Sequence, residues 1–305
     1  MLDTLVGPLL RDTLGLQAAS VRPLAGGEVG RVFRADAGGA SYAVKFVNAQ
    51  TEPAFADESV GDRVYGSRWS NLRPAHALIE ASGLPLPALH AAGTLPDQGV
   101  HYAILDFLDG DADDGSPAWS ACVGEALGRL HAITRAYQGW VAMNRPYPEP
   151  WSSAFGSSFR QWSERSAPYL PPSVREDLRR CCERRLAALA EPDAFVLSHT
   201  DGFQGVLRHD GAWSLLGVID IEDHQFTDQR FVLAGFELAQ AFWGRGLDPA
   251  FWDAYAAHQP VDPEYRELRP LFWAHYLLVW TWVFRDRPDL RDPTVERLGR
   301  VVAPG

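Results

Sequence analysis

Residues 195–223 read FVLSHTDGFQGVLRHDGAWSLLGVIDIED, and they set the expectation for the whole chain. An apolar run, Phe195-Val196-Leu197, leads into the polar cluster His199-Thr200-Asp201. The chain then turns through Gly202 and Gly205 and returns as two β-like segments, the second of which, Leu215 to Ile219, ends in Asp220. Two aspartates, each following an apolar run and set across a hairpin, are what phosphoryl transfer needs. One carboxylate orients a hydroxyl nucleophile, and the other holds the magnesium that neutralises the phosphates. The competing reading of the same residues is a solvated hairpin with ordinary turn aspartates.

His199-x-Asp201, followed by Val218-Ile219-Asp220-Ile221-Glu222-Asp223, resembles the catalytic and metal-binding loops of the aminoglycoside phosphotransferase family. These are small-molecule kinases with a protein-kinase-like fold, and their pattern runs roughly H-G-D-x-x-x-x-N-h-h, then h-h-D-[WF]-[ED]. The resemblance implies Asp201 as the catalytic base, Asp220 as a ligand of Mg2+, and ATP or GTP as the phosphoryl donor. The position of the family's magnesium-binding asparagine is Val206 here. Because Gly205-Val206-Leu207 fits G-N-V-L with the asparagine dropped, the loop reads as one residue shorter, and Gln204 is the nearest side-chain oxygen that could substitute.

Composition fits this reading. A chain of 305 residues with 46% hydrophobic content can bury a large core and ordinarily divides into two domains. The expected division is an N-lobe over 1–107 and a C-lobe over 108–305. No apolar run is long enough to span a membrane, and the N-terminus MLDTLVGPLLRDTLG carries acids where a signal peptide carries basic charge, so a soluble, cytoplasmic protein is expected. Cys122, Cys181 and Cys182 suit neither a disulfide framework nor a zinc site. The net charge of -11 argues against nucleic acid and mildly favours a cationic small molecule. Of the 28 Lys and Arg residues only Lys45 is lysine. A chain so biased should keep lysine where a compact ammonium must sit against phosphates and a forked guanidinium would not fit.

Lys45 lies in Tyr42-Ala43-Val44-Lys45-Phe46-Val47, after Gly26-Gly27-Glu28-Val29-Gly30. Glycines such as Gly27 and Gly30, bending between two strands, let backbone N–H groups approach phosphates. Lys45 itself resembles the V-A-I-K lysine that pairs with the α- and β-phosphates. Kinases of this kind orient that lysine with a helix glutamate, for which Glu58, ahead of the Gly83-Leu84-Pro85-Leu86-Pro87 turn, is the candidate. Ile104-Leu105-Asp106-Phe107-Leu108 resembles the hinge, where backbone groups near Asp106 and Leu108 would read the purine edge. The acidic residues Asp109, Asp111, Asp113 and Asp114 read as a solvated linker, and His131 as a packed core histidine. After Asp223, the segment containing Asp228 parallels the family's G-D-P-x-Y-D-L-A, with its second aspartate replaced by Val232. Glu222, Asp223 and Asp228 are expected to line the acceptor side. Two aromatic-rich helices, from Pro249 and from Tyr265, complete the expected order, the second apolar all round from Leu271 to Phe284 and hence a buried core helix.

These expectations amount to an α+β fold of protein-kinase-like type, with a small antiparallel-sheet N-lobe and a larger, mainly helical C-lobe. The expected activity is transfer of a γ-phosphate from ATP or GTP to a hydroxyl of a small polar, cationic molecule, an aminoglycoside-like or other antibiotic. A metabolic sugar or amine kinase would have the same core. The reading from another class is a degenerate kinase that binds nucleotide or a partner without turnover, supported by the missing asparagine alone. The partners are thus a nucleoside triphosphate and a small acceptor, with monomer and dimer both open.

Overall fold

The computed structural model describes residues 2–24, 30–48, 68–143, 149–199, 202–242 and 244–303. Its compact units are Met1–Asp114 with Gln204–His224, and Gly115–Phe203 with Gln225–Gly305.

The leucine spacing near the N-terminus forms helix α1 (Asp3–Leu14), which ends at Gly15 in the left-handed conformation that glycine adopts without strain. Its Val6, Leu9 and Leu10 are buried against the strands that follow. These are β1 (Ala18–Pro23), β2 (Gly30–Ala37) and β3 (Ala40–Asn48), then helix α2 (Arg68–Ala81), β4 (Leu89–Leu95) and β5 (Val100–Asp106). The strands form one antiparallel sheet in the order β1-β2-β3-β5-β4. Alternation fixes its two faces: Phe33, Ala35, Val44, Phe46 and Ile104 pack with α1, so the intervening residues emerge on the other side. Val32 lies opposite Lys45 in the β2–β3 register, and Lys45 opposite Ala103 in β3–β5. A one-residue slip would bury the ammonium against α1, so the apolar pattern itself specifies the lysine's face.

In the second unit, helix α3 (Pro117–His131) is capped by the Ser116 hydroxyl, which accepts from the Trp119 N–H. Short strands β6 (Thr134–Arg135) and β7 (Gly139–Trp140) follow, then helices α4 (Trp151–Ser166) and α5 (Pro172–Ala187), and strand β8 (Phe195–His199). The chain crosses the hairpin β9 (Gly205–His209) and β10 (Trp213–Val218), pairs β11 (His224–Thr227) into a sheet ordered β6-β8-β11-β7, and ends in helices α6 (Gln229–Phe242), α7 (Pro249–Ala256), α8 (Tyr265–Val283) and α9 (Pro288–Val302). The apolar run of α8 buries Leu271, Phe272, Leu277 and Leu278, and Phe272 joins a ring cluster with Phe155 and Phe231. Among the described residues no helix is long and apolar enough to cross a membrane. His131 is fully buried, its Nδ1 2.8 Å from the Tyr255 hydroxyl.

The division differs from a cut after residue 107, because the β9–β10 hairpin packs with the first unit. Val218 N–H donates to the Pro85 carbonyl and Asp111 N–H to the Leu207 carbonyl. Arg208 donates to the Asp109 carbonyl, His209 N–H to the Asp111 carboxylate, and the Trp213 indole to Asp114. The acidic segment expected as a solvated linker is thus partly spent on holding the hairpin. Gly110 sits where a Cβ would drive into Val206 Cγ1 and the Leu207 carbonyl oxygen. Backbone cannot yield as a side-chain tip can, so Gly110→Ala is expected to cost about 1–3 kcal/mol. Denaturant unfolding would measure it, and a wild-type midpoint would refute the close packing.

Candidate active site

Lys45 leaves β3 on the face away from α1, and its Nζ lies 2.8 Å from Oδ1 of Asp220. The same ammonium contacts Oε1 of Glu222, a residue only 6% exposed. Burial alone would push the lysine pKa down, but the Glu222 and Asp220 carboxylates outweigh it and hold the group above its ordinary range, so it stays charged at neutral pH.

Asp220 lies two residues past the end of β10 with φ 52°, and among the described residues it is the one non-glycine residue with positive φ. Aspartate tolerates this left-handed conformation better than most side chains. The turn throws the chain from the strand into a single 3-10 turn, Ile221–Asp223, whose last N–H returns to the Asp220 carbonyl at 3.2 Å. Asn71 of α2, almost fully buried, fastens this turn: its Nδ2 donates to the carbonyls of Glu222 at 3.0 Å and His224 at 2.7 Å. The chain thus holds an unusual backbone conformation at a carboxylate beside its single lysine, the kind of strain that clusters at functional sites.

A cavity of about 200 Å³ adjoins these groups. Val32, Ala43 and Ala103 line it from the sheet, Leu24 from just past β1, Val206 from the hairpin and Ile219 from just past β10. Leu105, Phe107 and Leu108 add further apolar wall, and the ionisable groups on its lining are Lys45, Asp106, Asp220 and Glu222. Aliphatic surface suits a flat heterocycle, while the ammonium and a carboxylate suit phosphates and their cation.

The expected residues fall into three groups. Asp201, Gly27 and Glu58 lie outside the described residues. Lys45, Asp106, Leu108, Asp220 and Glu222 come together on the cavity lining, and Gly30 lies beside the lysine stem, where an added Cβ would meet Lys45 Cε at 3.5 Å and the Phe46 carbonyl oxygen at 3.2 Å. The Asp106 carboxylate turns to His90 Nε2 at 2.6 Å, while its N–H donates to the Ala88 carbonyl. The third group departs from expectation. Glu222, expected toward the acceptor, contacts Lys45 instead, and Asp223 is half-buried in the same turn. Asp228 is fully buried and grips Arg230, with Oδ2 2.7 Å from Nη2, which leaves it no surface to offer an acceptor. Burial pushes the Asp228 carboxyl up, against the opposing pull of Arg230.

Val206 lines the apolar cavity, the surroundings of a hydrocarbon wall and not of a cation ligand. Gln204 accepts the Ile219 N–H on its main-chain carbonyl at 3.0 Å, which sets it beside the strand end that carries Asp220. Among the described residues no group of three or more His, Cys, Asp or Glu could hold a metal. Magnesium typically takes one or two protein carboxylates and completes its shell with phosphates and water, so a site built on Asp220, with Gln204 nearby, fits that ion. Sequence reading passed over Asn71, although an asparagine beside Leu72 on the apolar side of α2 is the pattern of a buried side chain bonded to backbone.

The sequence matches the profile of the Phosphotransferase enzyme family (APH) over residues 20–271. No curated protein sequence matches it. Among solved structures, one described as a candidate fructosamine-3-kinase of Thermobifida fusca superposes with TM-score 0.68 at 16% identity, over 97% of this chain and 98% of that one. Aminoglycoside phosphotransferase APH(4)-Ia superposes with TM-score 0.66 at 15% identity, over 99% and 98% of the two chains. APH(2")-IIia, solved with GDP and kanamycin, gives TM-score 0.64 at 14% identity, over 96% and 97%. At such identities the superpositions establish the α+β, protein-kinase-like fold. With the profile spanning most of its length and the lysine and aspartate side by side, the chain belongs to the APH phosphotransferase family.

Proposed function

We propose that this phosphotransferase moves the γ-phosphate of ATP or GTP, with Mg2+, to a hydroxyl of a small, amine-bearing polar molecule. An aminoglycoside-like antibiotic is the favoured acceptor, which would make the activity one of resistance. The observation that carries the reading is the single lysine held 2.8 Å from an aspartate in left-handed conformation, on the lining of an apolar cavity. Lys45 would hold the α- and β-phosphates. The Leu108 N–H makes no main-chain hydrogen bond among the described residues, and in this reading it would donate to a purine edge. Asp220, with Gln204 as a further oxygen, would hold magnesium, which when bound supplies neutralisation of charge on the transferring phosphoryl group. Asp201 would accept the hydroxyl proton, a role that rests on its motif.

The acceptor class draws on the related folds. One is solved with ADP and hygromycin B, another with GDP and kanamycin, and a third is described as a candidate fructosamine-3-kinase. Those three compounds share sugar hydroxyls with a basic nitrogen, and this chain is acidic overall. The third neighbour favours the second reading, a metabolic kinase of amine-bearing sugars. Incubating the protein with magnesium, ATP or GTP and a panel of aminoglycosides and glycated amines, with mass detection of phosphorylated product, tests both. Product from a glycated amine alone would select the metabolic kinase. Nucleotide binding without any product across the panel would instead support a chain that has lost turnover.

Lys45→Arg is expected to lower kcat/KM for nucleotide about tenfold to a hundredfold despite conserved charge. Arginine is longer and planar, and in the space bounded by Asp220, Glu222 and Gly30 it would displace the phosphates from the in-line geometry. Steady-state kinetics with varied ATP measures this, and a variant within twofold of wild type would count against the assignment of Lys45.

A further inference from the structure

We propose that Glu222 is the carboxylate that positions Lys45 for nucleotide, and that Asn71 sets Glu222 in place by clamping the backbone of its turn. This inference rests on the phosphotransferase reading of the cavity. Protein-kinase-like enzymes are expected to orient the phosphate-binding lysine with a glutamate on a neighbouring helix. Among the described residues the helix beside this turn is α2; it carries one glutamate, Glu80, whose side chain is exposed, while Glu58 lies outside the described residues. α2 lends the cavity wall Leu72 and holds the turn with Asn71, whose amide bonds the carbonyls on both sides of Asp223. The helix therefore acts on the lysine through the Ile221–Asp223 turn.

Three observations separate Glu222 from an ordinary buried acid. Its side chain is 7% exposed and contacts the ammonium of a lysine that is itself only 15% exposed. A carboxylate so placed requires a charged partner, and Lys45 is the cation on the cavity lining. The same ammonium is shared with Asp220, 39% exposed. Asp220 is thus the more accessible of the two, suited to exchange its lysine for a metal ion, while Glu222 stays on the lysine when phosphates arrive. A lysine already held by one buried carboxylate loses less freedom on meeting a phosphate, which favours binding.

The chain's single lysine makes the test direct, because lysine labelled with 13C at Cε gives one side-chain signal. In wild-type protein, in EDTA and without nucleotide, the two Hε protons of Lys45 are expected to be inequivalent, as for an immobilised side chain. Glu222→Gln and Glu222→Ala are expected to merge them progressively and to weaken AMP-PNP binding in EDTA about tenfold in the alanine variant. Asn71→Ala is expected to reproduce a smaller part of both effects with the cooperative unfolding transition retained. The isosteric glutamine variant guards against a simple loss of fold. Unchanged Hε inequivalence and AMP-PNP affinity in Glu222→Ala would overturn the proposal. So would a Glu222→Ala variant that keeps wild-type AMP-PNP affinity in EDTA and loses only the gain in affinity that added magnesium brings, since that places Glu222 on the metal. Failure to phosphorylate any acceptor would bear on the proposed function alone, because neither readout involves turnover.

Discussion

Asp220→Asn is expected to lower kcat by about a thousandfold, on the order of 4 kcal/mol in barrier height, while the protein keeps its fold. Asparagine is, with aspartate, among the side chains that accept the left-handed backbone found at φ 52°. The turn into Ile221–Asp223 should therefore survive, along with its Asn71 clamp. Lys45 loses one carboxylate but keeps Glu222. What disappears is the charge that would hold magnesium against the phosphates. The effect should fall on kcat, with AMP-PNP affinity in EDTA nearly unchanged. Asp220→Ala, by contrast, adds strain at the same φ and should also lose stability. Steady-state turnover beside a melting curve separates the two, and an active Asp220→Asn enzyme would remove Asp220 from the metal site.

Much of this site is legible in the sequence because its elements are local. Lys45 sits in an alternating strand whose inward residues, Val44 and Phe46, dictate that the lysine points the other way. Asp220 ends an apolar run, and the backbone reversal there is one aspartate favours. The order of the five-stranded sheet follows from hairpins and one register. The partner of Lys45 is a different matter. Lys45 and Glu222 are far apart in sequence, and no periodicity indicates which of several nearby acids will reach the ammonium. Glu222, Asp223 and Asp228 looked equivalent as a cluster of acids after the hairpin. Folding separates them: one binds the lysine, one stays half-buried in its turn, and one enters the core of the second unit.

Helix α9 escaped the sequence reading for a related reason. Pro288 and Pro293 and a run of charges obscure it, yet Thr294, Leu298 and Val302 recur every fourth residue and are its buried stripe. Proline at the start of a helix costs little, because the missing N–H has no partner there. The reading of Val206 turned on the same distinction between position and environment. Counted from Asp201 it occupies a metal-ligand position, whereas in space it belongs to the apolar cavity with Ile219.

The buried pair Asp228–Arg230 carries the largest expected effect on stability. Asp228 immediately precedes α6, and its Oδ1 accepts the N–H of Arg230, the second residue of that helix, at 2.7 Å. The Arg230 side chain returns to the same carboxylate through Nε and Nη2, and also reaches Glu264 at 2.6 Å and the Ala190 carbonyl at 2.9 Å. Aspartate and arginine are 0% and 2% exposed, so neither charge can turn to water when the other is removed. Arg230→Met leaves a desolvated carboxylate and is expected to cost about 3–5 kcal/mol. For a unit of this size that corresponds to a melting temperature lower by roughly 10 °C. Adding Asp228→Asn to Arg230→Met removes the stranded charge while keeping an oxygen for the helix N-terminus, and it should recover a large part of the loss. Calorimetry of wild type, both single variants and the double variant would measure the coupling. Additive single losses would dismiss the pair as a structural unit. If Asp228 instead faces the acceptor, Asp228→Asn should raise the acceptor KM in the folded enzyme, whereas the buried geometry leads us to expect an unchanged KM and a lower melting temperature.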